Sequence, residues 1–134
     1  MLIGFLTAPF RNSPLDELLS WAQEEGFDAL EVDAHPQAGH IHTSKIVGGE
    51  AEEVAKLFRN HGIRISSLAT YQNALDPDPH KSKQAVEALR LSIDAAKMLE
   101  VDVVCTTAGM APPGKNKLAA IREDHAHVLV VGCT

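Results

Sequence analysis

The segment GFDALEVDAHP, residues 26–36, sets Glu31, Asp33 and His35 at alternate positions with Leu30, Val32 and Ala34 between them. Successive side chains of a strand point to opposite faces. One face would therefore carry two carboxylates and an imidazole, groups that move protons or bind cations. Burying a carboxylate is costly unless it is paired, so this face is either a functional surface or the wet side of an ordinary sheet. Tyr71 and Asn73, in SLATYQNALDPDP, add a hydroxyl and a carboxamide suited to sugar hydroxyls. Asn is also a common turn former. Thr107, after Cys105 and Thr106 in VDVVCTTAG, offers a further small polar contact, whereas Cys105 reads as core packing. His35, His40 and His42 share one segment, at neither helical i,i+4 nor finger spacing. They read as solvated, and no residue is assigned as a metal ligand.

These groups need elements to hold them, and the chain supplies an alternating series. Strands are expected over residues 3–8, 28–34, 63–70 and 101–107, with helices near 14–25, 50–61 and 79–99. Ser13 and Pro14, and again Asp78 and Pro79, read as N-cap and first helical residue, while Gly26 and Gly62 read as helix stops. Leu15, Leu18, Leu19 and Ala22 share a face of the first helix, and Val54, Leu57 and Phe58 point inward from the second. Val86, Leu89, Ile93 and Ala96 mark the expected buried stripe of the third. HPQAGHIHTSKIVGG reads as a long loop, LAAIREDHA as a short helix and HVLVVGC as a fifth strand. Strand, helix, strand with short links means parallel pairing through right-handed crossovers. A doubly wound open sheet and part of a (β/α)8 barrel both satisfy that pattern. The Gly-x-Gly-x-x-Gly turn of a dinucleotide fold is missing after the first strand, where the chain reads TAPFRNSP.

The 134 residues suit one domain. A formal charge of −6, with no cationic run longer than HKSK, excludes a phosphate-backbone binder as the main reading. No apolar run approaches the roughly 20 residues that cross a bilayer. MLIGFLTAPF is apolar without a cationic lead and reads as a strand rather than a signal peptide. The two cysteines are far apart with no CxxC spacing, so a cytoplasmic protein with reduced thiols is expected.

IGFLTAPF, GFDALEVDAHP, HGIRISSLATYQNALDPDP and SIDAAKMLEVDVVCT together resemble the sugar phosphate isomerase/epimerase family. These are xylose-isomerase-like TIM barrels, a group that also includes repair nucleases of the endonuclease IV type. The resemblance implies an α/β fold: a partial (β/α)8 barrel of four to five βα units with a parallel sheet. It implies a single domain over 1–134, family-like over 1–109 and divergent over 110–134. Sites in such barrels sit at the C-terminal strand ends. That assigns Glu31 and His35 as catalytic groups and Asp33, Tyr71, Asn73 and Thr107 as substrate contacts. The implied chemistry is isomerisation or epimerisation of a sugar or sugar phosphate with a divalent metal (Mn, Zn or Mg). The family's metal ligands come mainly from later strands. With Cys133 aligned to a family Cys, Val131 occupies the place of the first ligand, a Glu. The chain alone is therefore expected to retain little metal and to show no turnover. A non-catalytic barrel fragment that self-associates is the alternative, and a homo-oligomer is expected in either case.

Overall fold

The computed structural model describes residues 1–37, 39–107, 109–110, 113–116 and 118–119. The expected fifth strand, with Val131 and Cys133, and most of the expected tail helix lie outside the described residues. Four strands form one parallel sheet in the order β1 (Gly4–Leu6), β2 (Ala29–His35), β4 (Arg64–Thr70) and β5 (Val104–Thr106). A two-residue strand β3 (Ile41–His42) pairs in parallel with the end of β2, setting His42 opposite His35. Helices α1 (Leu15–Glu24), α3 (Ala51–Asn60) and α4 (Pro79–Met98) follow β1, the β2–β3 unit and β4 in turn. This is the (β/α) order of a barrel wall.

Among the described residues, the helices pack against one face of the sheet. Leu30, Val32 and Ala34 of β2 and Leu68 of β4 are fully buried beneath the helices, against Leu19, Ala22, Phe58, Ala95 and Ala96. The register puts Leu6, Glu31 and Ser67 in one row on the other face, the side that becomes the lumen of a closed barrel. The pairing skips a residue between Leu30/Glu31 and Ile65/Ser67, so Ser66 is an extra residue in β4. Such a bulge locally re-aims side chains.

Local signals largely take effect as read. Asp78 accepts the His80 N–H at 2.9 Å with Pro79 opening α4, and Gly26 and Gly62 take φ of +78° and +66° beyond α1 and α3. Three expectations need correction. Ser13 does not cap α1; Pro14 occupies the N-cap, and no side-chain bond forms there. The buried stripe of α4 is rotated, consisting of Ala85, Ala88, Ser92, Ala95 and Ala96, while Val86, Leu89 and Ile93 are half-buried. Small residues let α4 approach the sheet closely, a gain that hydrophobic weight alone does not register. The segment after β2 is not a plain loop: it holds β3, the turn α2 (Thr43–Lys45) and a π turn at Ile46–Glu50.

The close approach of α4 is marked by a buried polar cluster. The hydroxyls of Thr70 and Ser92, both fully buried, lie 2.6 Å apart and reach the Ala34 carbonyl at 2.6 and 3.0 Å. Ser92 also lies 2.9 Å from the Ala88 carbonyl. Two hydroxyl protons serve these four contacts, so at most two are made at once. At the other edge, a Cβ on Gly4 would lie 2.1 Å from the Ala29 carbonyl oxygen. Glycine therefore sets how closely β1 meets β2.

Candidate functional site at the strand ends

Glu31 is half-exposed on the face away from the helices, and its carboxylate accepts a hydrogen bond from the Tyr71 hydroxyl just beyond β4. That bond, with smaller contributions from burial, the Glu31 charge and Cys105, pushes the Tyr71 phenol up to about 12. Tyr71 is thus a proton donor at any physiological pH. Leu2, Gly4, Leu6, Ala29 and Ser66 join Glu31 around a groove of about 330 Å³.

One turn of the pleat further along, Asp33 is buried, and its backbone N–H donates to the fully buried Thr7 hydroxyl at 2.9 Å. The Asp33 carboxylate lies 3.9 Å from His35 Nε2. His35 Nδ1 accepts the Gln37 backbone N–H at 3.2 Å, which places the proton of the neutral ring on Nε2, facing Asp33. Burial pushes the His35 imidazole below its ordinary 6.5; Asp33 opposes this, and Arg11 and His42 reinforce it.

The sign of the pH effect follows. A histidine whose folded pKa is lowered contributes stability that is complete above the unfolded value of 6.5 and is lost as pH falls through the lower folded value. His35→Gln is therefore expected to flatten the acid side of the stability profile. Urea midpoints measured above and below pH 6.5 check it, and parallel profiles for the two proteins would contradict it.

Asn73 and Thr107 are engaged differently. Asn73 Oδ1 accepts the Leu75 N–H at 3.3 Å and the Met110 N–H at 2.7 Å, tying the chain after β5 to the turn after β4. Thr107 donates to the Gln72 carbonyl at 3.1 Å. Both residues build the rim of the site. Cys105 is half-buried and outside the main core cluster, not the core residue expected. His40 is buried rather than solvated, with Nε2 3.2 Å from the Ser13 carbonyl and Nδ1 without a hydrogen-bond partner among the described residues. Sequence reading passed over Thr7 and Arg11. A strand-end threonine and a basic residue in the first loop were the only signals.

A larger cleft of about 510 Å³ opens between the loop after β2, the turn after β4 and the first half of α4, lined by His35, Asn73, Asp76, His80 and Lys83 among others. It lies beside the helix rather than over the Glu31–Tyr71 pair. Glu31 lines the smaller groove, and Tyr71 bonds to its carboxylate from just beyond β4. Glu31 and Tyr71 thus come together, as do Asp33 and His35, while Asn73 and His35 meet at the cleft.

The strand order, the row of Leu6, Glu31 and Ser67 on the face away from the helices and the strand-end groups together point to a barrel enzyme family. A family model described as xylose isomerase-like TIM barrel matches residues 19–129. The chain belongs to that family. A provisionally named xylose isomerase from Rhodospirillum rubrum superposes with a TM-score of 0.70 at 20% identity, over 94% of this chain and 46% of that one. The IolI protein, solved with a bound zinc atom, gives 0.65 at 20% identity, over 96% and 45%. The 3-keto-D-glucoside 4-epimerase YcjR from E. coli gives 0.62 at 18% identity, over 96% and 50%. The chain spans about half the length of these structures. The search of curated proteins finds no match.

The family resemblance implies a divalent metal, which needs several His, Cys, Asp or Glu donors brought together. Among the described residues, no three His, Cys, Asp or Glu side chains come close enough to hold a metal ion. The donor set of the described residues does not fit a divalent metal. Among the described residues, no helix is long and apolar enough to cross a membrane.

Proposed function

We propose that this chain binds a sugar or sugar phosphate at the C-terminal ends of its strands and carries proton-handling groups of an isomerase or epimerase site. The Glu31–Tyr71 pair carries the reading. An ionised carboxylate on an open face can take a proton from a carbon beside a carbonyl, and an adjacent phenol that stays protonated can donate to a sugar oxygen. Asp33 and His35 lie one pleat further on and would orient a second hydroxyl, with Thr7 fixing the Asp33 backbone. Asn73 and Thr107 would close the rim. Membership of the family and the epimerase among the structural neighbours support the substrate class. A non-catalytic barrel protein that self-associates is the second reading, favoured by exposed apolar residues such as Leu2, Ile3 and Val103.

Saturation-transfer NMR of the 134-residue chain with a panel of ketoses and ketose phosphates tests the first reading. Binding is expected for part of the panel, and Glu31→Gln with Tyr71→Phe should weaken it about tenfold, the cost of roughly one good hydrogen bond to a charged group. No binding, or binding indifferent to both substitutions, would sink it.

A further inference from the structure

Thr70 stands one residue before Tyr71 and is held from three sides. The register between β2 and β4 ends at Asp33 and Ala69. Beyond that pair a side chain takes over: the fully buried Thr70 hydroxyl lies 2.6 Å from the Ala34 carbonyl of β2 and 2.6 Å from the Ser92 hydroxyl of α4. The Thr70 carbonyl accepts the Thr106 hydroxyl of β5 at 2.9 Å and the Gln72 N–H at 3.0 Å. The second of these bonds closes a three-residue turn centred on Tyr71.

Two oxygens 2.6 Å apart need a proton between them. That leaves one hydroxyl proton for the Ala34 and Ala88 carbonyls. Thr70 cannot rotate away without stranding a buried polar atom, which is far more costly than losing a bond at the surface. Its side chain lies with the buried Leu68 on the helix side of β4. Strand alternation then sends the next side chain, Tyr71, to the opposite face, where Glu31 stands. Ala34 sits between Asp33 and His35, so the same knot holds the end of β2 that carries the second pair.

We propose that Thr70 is the positioning residue of the Glu31–Tyr71 pair: fixed beneath α4 by Ser92 and the Ala34 carbonyl, it sets the turn that brings the phenol within reach of Glu31. Thr70 is fully buried and touches no substrate. The inference rests on reading that pair as the proton-handling centre, but its test needs no sugar.

Alkaline titration of the full chain, followed by phenolate absorbance, reads Tyr71 alone because the chain has one tyrosine. The native phenol should titrate near 12. Thr70→Val keeps the shape and removes the hydroxyl, and it should make the phenol at least about tenfold more acidic. Thr70→Ser keeps the hydroxyl and should hold the phenol near its native value. Far-UV circular dichroism checks folding; if Thr70→Val unfolds, Ser92→Ala is read in its place and should move the phenol the same way. Urea midpoints separate positioning from stability. A Thr70→Val chain that is less stable but still titrates near 12 would reduce Thr70 to a packing residue and overturn the proposal. So would a Thr70→Ser phenol as acidic as that of Thr70→Val, or a native phenol already near 10.0. The expected titrations in a chain that binds no sugar would sink the functional reading and leave this one standing.

Discussion

Glu31→Gln is expected to bring the Tyr71 phenol down from about 12 toward its ordinary value of 10.0, roughly a hundredfold change in acidity. The main cause of the upward shift is the hydrogen bond that Tyr71 donates to Glu31. Ionising the phenol breaks that bond and sets two negative charges side by side, whereas a neutral carboxamide removes the repulsion. Tyr71 is the chain's one tyrosine, so phenolate absorbance during an alkaline titration reports this group alone. Raised in the folded state, its pKa implies stability complete below the unfolded value near 10.0 and lost as pH climbs through about 12. Tyr71 is 43% exposed, so solvent screening keeps the effect on stability small. The effect on proton handling is large, because the pair sets which group gives and which group takes. A native Tyr71 that titrates near 10.0 would show that the pair is not formed.

Leu30→Ala is expected to cost about 2–5 kcal/mol, a large share of the roughly 5–15 kcal/mol that holds a domain together. Leu30 is fully buried at the middle of the sheet, between Phe5 of β1 and Ile65 of β4, with the helices above it. Truncation leaves a cavity that neighbours on three elements cannot easily close. Val47, 40% exposed beyond α2, is the control, and Val47→Ala should change stability by less than about 0.5 kcal/mol. Urea midpoints measure both. Equal losses at the two positions would mean that the buried face does not carry the fold.

Period and punctuation made most of the fold legible. Alternation in ALEVDAH, the 3.6-residue spacing in α1 and the Asp78–Pro79 start of α4 are local properties, set by backbone geometry and side-chain direction. The stripe of α4 was misread because the sequence offers larger apolar residues at 86, 89 and 93. Packing instead favoured Ala85, Ala88 and Ser92, which let the helix sit against the Ala34 carbonyl. β3 escaped notice because two residues carry no period. His40 escaped because its burial depends on the Ser13 carbonyl, 27 residues earlier.

The sequence by itself determined the order of strands and helices, their parallel sense, and that Glu31, Asp33 and His35 share one face of β2. All of these follow from steric rules acting over a few residues. Only the tertiary structure decided that Tyr71 reaches Glu31, that Asp33 faces His35 above Thr7, and that Asn73 and Thr107 spend polar atoms on backbone partners. Those pairings join positions up to 40 residues apart. They depend on strand register and on the extra residue at Ser66, where a one-residue slip turns every side chain to the opposite face.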